Sequence, residues 1–161
     1  MTSIAEYLAG LGAKLRSGHA DGADKAFERG ALNAGGDKEI HLPWDGYNNQ
    51  REGGDYIVPV PTPEMVDIAA YHHPVWNSLT QGVKTLMLRN TTIVLGPHLE
   101  TPVQCVIGWT PDGKWIGGTS HAFRVAQANN IPIYNIATDL GRRQLQEFVG
   151  LYETHLNGAP A

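Results

Sequence analysis

Two glycine-bearing turns carry the residues of this chain whose types and spacing could do chemistry. The first reads Arg16-Ser17-Gly18-His19-Ala20-Asp21-Gly22-Ala23-Asp24. It sets a cation, a hydroxyl and two carboxylates between a short strand pattern and a helical one. Asp24 could accept from a ribose hydroxyl and Arg16 could meet a phosphate. Equally, Asp21 could cap the helix that follows and Arg16 could pair with an acidic neighbour. The second turn is Gly117-Gly118-Thr119-Ser120, which comes after the apolar run 103–110 and the turn Pro111-Asp112-Gly113. Glycines let a backbone approach a ligand closely, and a helix N-terminus offers unpaired N–H groups and the positive end of a dipole. Thr119 and Ser120 add hydroxyl donors. Phosphate binding and a plain helix cap both fit this turn. The Lys-Ser/Thr ending of a P-loop and the G-x-G-x-x-G spacing of a dinucleotide fingerprint are both missing.

Other residues could join these turns. Trp44 and Trp109 each follow a strand pattern, where either could stack on a base or fill the core. Arg89, beside Asn90, closes a helical stretch; it could reach a ligand or satisfy the last helix carbonyls. His72 and His73 are neighbours, so on a helix they point apart, and no acidic or cysteine partner stands at ligand spacing. No metal and no cofactor is expected. Cys105 is the single cysteine and lies in an apolar run, where it reads as an inert buried thiol with no intrachain disulfide. No Ser-His-Asp set, no H-E-x-x-H and no paired carboxylates of obvious geometry can be assembled.

The elements that must position these residues follow from periodicity. Ile4, Tyr7, Leu8 and Leu11 mark an opening helix. Residues 14–17 form a short strand, and Ala23, Ala26, Phe27, Gly30 and Ala31 share the face of a second helix. Residues 39–42 form the next strand, and 45–62 a long surface loop. Met65, Ile68, Ala69 and His72 share a helix face. A further helix is expected to open at Pro74 and carry Trp76, Leu79, Val83 and Leu86. Residues 92–95 fit a strand or a helix end. Residues 103–110 make the strongest strand pattern, followed by a helix with Ala122, Val125, Ala126 and Asn129. Strand 131–137 and a helix with Leu145, Phe148, Val149 and Tyr152 close the chain. Alternation of apolar strands with helices implies an α/β fold, a parallel sheet covered on both faces, with ligands at the carboxyl ends of the strands.

The bulk numbers set bounds. The 161 residues suit one domain, taken as 1–156 with a tail at 157–161, and the 19 glycines and 10 prolines suit many tight turns. A formal net charge of −4 weighs against a protein whose main task is gripping a nucleic-acid backbone. No basic leader and no membrane-length apolar run are visible, so a cytoplasmic protein is expected.

Taken in register, several blocks carry a family resemblance: Leu15 to Asp24, Lys38-Glu39-Ile40-His41-Leu42-Pro43-Trp44, His72-His73-Pro74-Val75-Trp76, Arg89-Asn90, Trp109-Thr110-Pro111-Asp112-Gly113, and Gly117 to Ala126. Over residues 4 to about 140 the chain resembles the phage DprA-like DNA recombination mediators. These belong with the Lonely Guy phosphoribohydrolases to a superfamily of Rossmann-like domains. The resemblance implies a parallel sheet flanked by helices and a nucleotide-type ligand site at the glycine turns; together with the residue chemistry above, the expected contacts are Arg16, Ser17, Gly18, Asp21, Asp24, Trp44, Arg89, Trp109, Thr110, Gly117, Gly118, Thr119 and Ser120. It also implies a phage protein in a bacterial host's cytoplasm, self-association, and single-stranded DNA as an alternative partner. Three departures stand out. Relatives begin with a strand ahead of the first helix, central in the sheet, which this chain lacks; neighbouring strands could close the gap, another chain could fill it, or the start could be placed late. His19 stands where relatives have glycine, which would narrow the pocket or alter the turn. The Lonely Guy catalytic glutamate has no counterpart in His121-Ala122-Phe123-Arg124, so that hydrolase chemistry does not carry over. A nucleotide-binding module is the expectation; single-stranded DNA binding and N-glycosidic hydrolysis through Asp21 or Asp24 are the alternatives.

Overall fold

The computed structural model describes residues 1–158, with side chains through Thr154. In chain order the elements are α1 (Thr2–Gly10), β1 (Leu15–Ser17), α2 (Ala23–Asn33), β2 (Lys38–His41), β3 (Tyr56–Ile57), α3 (Pro63–Tyr71), α4 (Gln81–Leu95), β4 (Val106–Gly108), α5 (Gly117–Ala128), β5 (Ile133–Asn135) and α6 (Asp139–Gly158). The fold is α/β with short parallel strands between helices, as a Rossmann-like reading requires. Of the tail assigned to residues 157–161, Asn157 and Gly158 continue α6 and the remainder lies outside the described residues.

The strands do not form one sheet. β1, β2 and β3 make a three-stranded parallel sheet in the order β1-β2-β3, and β4 and β5 make a separate parallel pair. Leu15 pairs with Lys38 and Ile40 with Tyr56 in the first; Ile107 pairs with Tyr134 in the second. β1 and β4 are edges that do not meet. The expected option in which these neighbouring strands close against each other is therefore not seen.

Helices cover both faces. Gly108 of β4 turns toward α5, so closely that a Cβ there would stand 2.7 Å from the Phe123 ring. Tyr134, on the opposite face, meets Phe148 of α6 with ring centroids 5.3 Å apart. α1 joins α6 on that second face through the Tyr7 hydroxyl and the Glu153 carboxylate. Gly30 lets α1 and α2 touch, since a Cβ there would stand 2.7 Å from Ala5 Cβ. Beneath α4 and α5, Val94, Leu95, Val125, Ala126 and Ile131 form one buried cluster, and Met65, Ala69, Met87 and Leu88 another.

Several boundaries differ from the sequence reading for local reasons. α4 opens at Gln81 rather than Pro74, because Thr80 caps it, its hydroxyl accepting from Val83 N at 3.4 Å. Residues 92–95 are the end of that helix. The apolar run 103–110 holds a strand only at Val106–Gly108: Val103 N bonds back to Val94 O, and Thr110 is drawn toward Asn135, whose Nδ2 donates to Thr110 Oγ1 at 2.6 Å. The long loop 45–62 conceals β3, whose two residues are too few to show a pattern. Asp21 does not cap α2; its carboxylate takes Lys25, and Gly22 stands at the cap with no side-chain bond.

Candidate functional site

A cavity of about 700 Å³ opens where β1 and β4 fail to meet. Ser17 ends β1 and Gly108 ends β4, so both glycine turns lie at carboxyl ends of strands. Seven of the sequence-derived residues, Arg16, Ser17, Asp21, Asp24, Arg89, Gly118 and Thr119, line this single cavity. Two turns separated by most of the chain thus face one space.

Arg89 is its central feature. The residue is only 6% exposed, yet its guanidinium has few partners. Nη1 lies 3.4 Å from Asp24 Oδ2, a long contact, and the buried Nε has no hydrogen-bond partner. The guanidinium carbon lies over the Tyr47 ring, 5.7 Å from its centroid. Leaving a buried donor unpaired costs about 1–3 kcal/mol, more when the group is charged. Gly18 makes this placement possible, because a Cβ there would overlap the guanidinium.

The position of Arg89 is fixed from below by α4. Glu39 of β2 forms an ion pair with Arg16, Oε1 to Nε 2.8 Å, and pairs with His41 Nε2 at 2.9 Å. His41 Nδ1 reaches Thr92 Oγ1 at 2.8 Å, one turn beyond Arg89. Burial opposes charge on Glu39, but the bonds from His41 and Lys14 and the Arg16 guanidinium hold its carboxyl down at about 2. Burial pushes His41 down to about 4, against the pull of Glu39, so the imidazole is neutral at pH 7. Its single N–H, placed on Nε2, donates to Glu39 and leaves Nδ1 facing Thr92 Oγ1; the Thr92 hydroxyl, which has one proton, also lies 2.9 Å from Arg89 O, to which it donates. Arg16 is therefore committed to Glu39 and to Thr101 O, which it reaches at 2.7 Å, although it borders the cavity.

Opposite Arg89 stands the N-terminus of α5. No side chain caps it, so its first amides stay open, and Gly118 and Thr119 are exposed to the cavity. Gly117 begins the helix at φ +76°, a left-handed conformation suited to glycine. Asn90 Nδ2 donates to Gly118 O at 3.1 Å, so consecutive residues of α4 serve the two turns: Arg89 the first, Asn90 the second. Ser120 is turned inward, 1% exposed, its hydroxyl donating to Gly117 O at 2.6 Å; that hydroxyl is spent on the helix backbone rather than facing a ligand.

The remaining expected residues stand outside the cavity wall. Thr110 is buried in its bonds with Asn135. Trp109 is 46% exposed and Trp44 43%. Trp44 stacks edge-on against Tyr47 at 5.2 Å, so it reaches Arg89 through that ring. Asp24 also accepts from Ala20 N at 3.1 Å, which ties the first turn to α2.

His19 does not narrow the pocket. Its backbone takes φ +58°, the conformation a glycine would give, and its Nδ1 turns away to Glu28 at 2.9 Å. Tyr56 packs edge-on against the imidazole at 5.6 Å, and Asn48 Nδ2 donates to His19 O at 3.0 Å. Tyr47, Asn48 and Glu28 were not visible from sequence as neighbours of the site. Glu28 lies on α2 nine residues after His19, a spacing that signals nothing until the turn is folded. Searches of protein-family models, curated proteins and solved structures return no match to this chain.

Proposed function

We propose that this chain is a nucleotide-binding module in which the phosphate of a nucleotide or nucleotide-derived ligand is held between Arg89 and the N-terminus of α5. The observation that carries this reading is the buried Arg89, whose Nε has no partner and whose contact to Asp24 is long. An anion in the cavity would meet the poorly paired guanidinium and at the same time receive the open amides of Gly118 and Thr119. Ser17 and Asp24 stand on the side suited to ribose hydroxyls, and Tyr47 with Trp44 offers an aromatic surface near the guanidinium. The resemblance to DprA-like Rossmann domains supports the same ligand class. The net charge of −4 favours a small ligand over a long single strand, which needs a continuous basic groove.

The test is a thermal-shift screen with mononucleotides, dinucleotides, cyclic nucleotides, inorganic phosphate and a short oligonucleotide. A ligand at a hundred times its Kd stabilises by about 2.7 kcal/mol. A clear shift with one small nucleotide, lost in Arg89→Met, supports the reading. A shift with the oligonucleotide alone moves it to DNA binding, and a flat response to every compound overturns it. Release of free base from the nucleotide that binds would add turnover through Asp24.

A further inference from the structure

We propose that the corner that follows α3, residues 72–75, is an acid-operated latch: it packs against α5 while His121 is neutral and is released when that imidazole takes a second proton.

His121 of α5 is fully buried and meets α3. Its Nε2 lies 3.2 Å from Ala69 O, which can only accept, so the single N–H of the neutral ring sits on Nε2. Nδ1 is then a bare lone pair, buried without a partner. A neutral ring tolerates this at modest cost. A second proton would make a buried, charged donor with nothing to receive it.

The surroundings give that proton no compensation. Burial opposes it most strongly, and Arg124 of α5 with His73 and His72 of the corner oppose it further; only the bond to Ala69 O favours it. Among the described residues, no carboxylate pairs with Arg124, His72, His73 or His121. The other ionisable groups on the packed elements are engaged elsewhere or face outward. Glu64, Asp67 and Tyr71 of α3 are exposed. Lys84 of α4 lies over the Trp76 ring, Arg89 lies over Tyr47, and Tyr134 of β5 meets Phe148.

The corner is the part that can yield. The described contacts that join it to α5 are one hydrogen bond, Arg124 Nε donating to His72 O at 2.7 Å, and one ring contact, His73 to His121 with centroids 6.1 Å apart. Pro74 and Val75 are exposed, and an open hollow of about 420 Å³ beside His72, Pro74 and Arg124 brings solvent to the outer side. α3 is held separately, by Met65 and Ala69 against Met87 and Leu88. The corner therefore lifts while α3 stays, and water reaches Nδ1. The released state binds a proton that the closed state refuses, so acid favours release. None of these residues lines the nucleotide cavity, and the latch does not rest on the nucleotide reading.

The experiment measures amide exchange by NMR on the full chain at pH 7.5 and pH 5, each rate divided by its intrinsic value. The reporters are His72, His73 and Trp76, whose amides donate to Ile68 O, Ala70 O and His73 O; Val125, buried in α5, reports the core. Opening at the reporters should become about tenfold or more frequent at pH 5. It should not respond to about 1 M urea, since a local opening exposes little surface. His121→Gln, whose amide can still donate to Ala69 O, should abolish the acid effect, and His73→Gln should retain it. No acid effect in the parent overturns the proposal. An effect that persists in His121→Gln, or that His73→Gln removes, overturns it by placing the proton elsewhere. Equal, urea-sensitive loosening of Val125 and the corner also overturns it, because that is global unfolding. If His121→Gln does not fold, the ring-proton resonances of His121 in the parent decide. Titration at the ordinary value of 6.5 sinks the latch, and a ring still neutral at pH 5 while the corner opens upholds it.

Discussion

Gly18 and Arg89 share one volume: any Cβ at position 18 would overlap the guanidinium that Arg89 lays across the first turn. The glycine is needed here for close approach rather than for backbone conformation. Gly18→Ala should therefore expel Arg89 from its buried position. The expected outcome is a loss of about 1–3 kcal/mol in urea unfolding, as for other overpacked sites. Nucleotide affinity should fall with it, about tenfold or more by titration calorimetry, because the cation no longer faces the α5 N-terminus. Wild-type affinity in this variant would remove Arg89 from the binding role.

Arg89→Met separates stability from binding. The methionine keeps much of the volume and removes a buried, poorly paired charge. Asp24, with its side chain 30% exposed, keeps access to water and is not stranded. Replacing a buried, imperfectly paired ion by an apolar group is often neutral or stabilising. Unfolding free energy should stay within about 1 kcal/mol of the parent, while the thermal shift with nucleotide disappears. A large destabilisation instead would show that Arg89 is held for the fold.

Much of this arrangement was legible before folding, and the reasons for the exceptions are physical. Ile4, Tyr7 and Leu8, and Phe27 with Ala31, repeat at helical spacing, so α1 and α2 follow from periodicity. The glycine turns 17–22 and 117–120 stand where strand patterns yield to helical ones. By contrast, the separation of the strands into two sheets cannot be read from pattern, since an edge strand and a central strand of a covered sheet carry the same apolar residues. The contacts of Arg89 with Gly18 and Tyr47 join distant parts of the chain, and nothing local marks them. Thr110 read as a ligand residue because of its neighbours; Asn135, which buries it, gave no signal of its own.

Acid should weaken the fold in two stages. His41 and His121 are both pushed down to about 4 from 6.5, chiefly by burial, so they are neutral in the native state. Between these values the unfolded chain binds more protons, and stability falls as pH drops from about 6.5 to about 4. Glu39, held down at about 2 from 4.5, contributes stability present above the upper value and lost as pH falls toward the lower one. Urea unfolding at pH 7.5 and pH 5 should show the first stage. His121 Nδ1 is buried without a partner, so His121→Leu should flatten that stage without destroying the fold. An unchanged pH profile in this variant would assign the effect to His41.

If a nucleotide binds as proposed, fluorescence places its base. Trp44 is linked to the site, edge-on to Tyr47, which in turn lies under Arg89. Trp109 is comparably exposed but borders no wall of the cavity. If the base packs on the aromatic pair, adding nucleotide should quench tryptophan emission in the parent and in Trp109→Phe, but not in Trp44→Phe. Because Trp44 is half exposed and its truncation empties no core, the variant should keep its stability within about 0.5 kcal/mol, so a lost signal reports the contact itself. Should Trp109→Phe abolish the quench instead, the base lies at the end of β4, and the ribose must then turn away from Asp24 and toward Thr119.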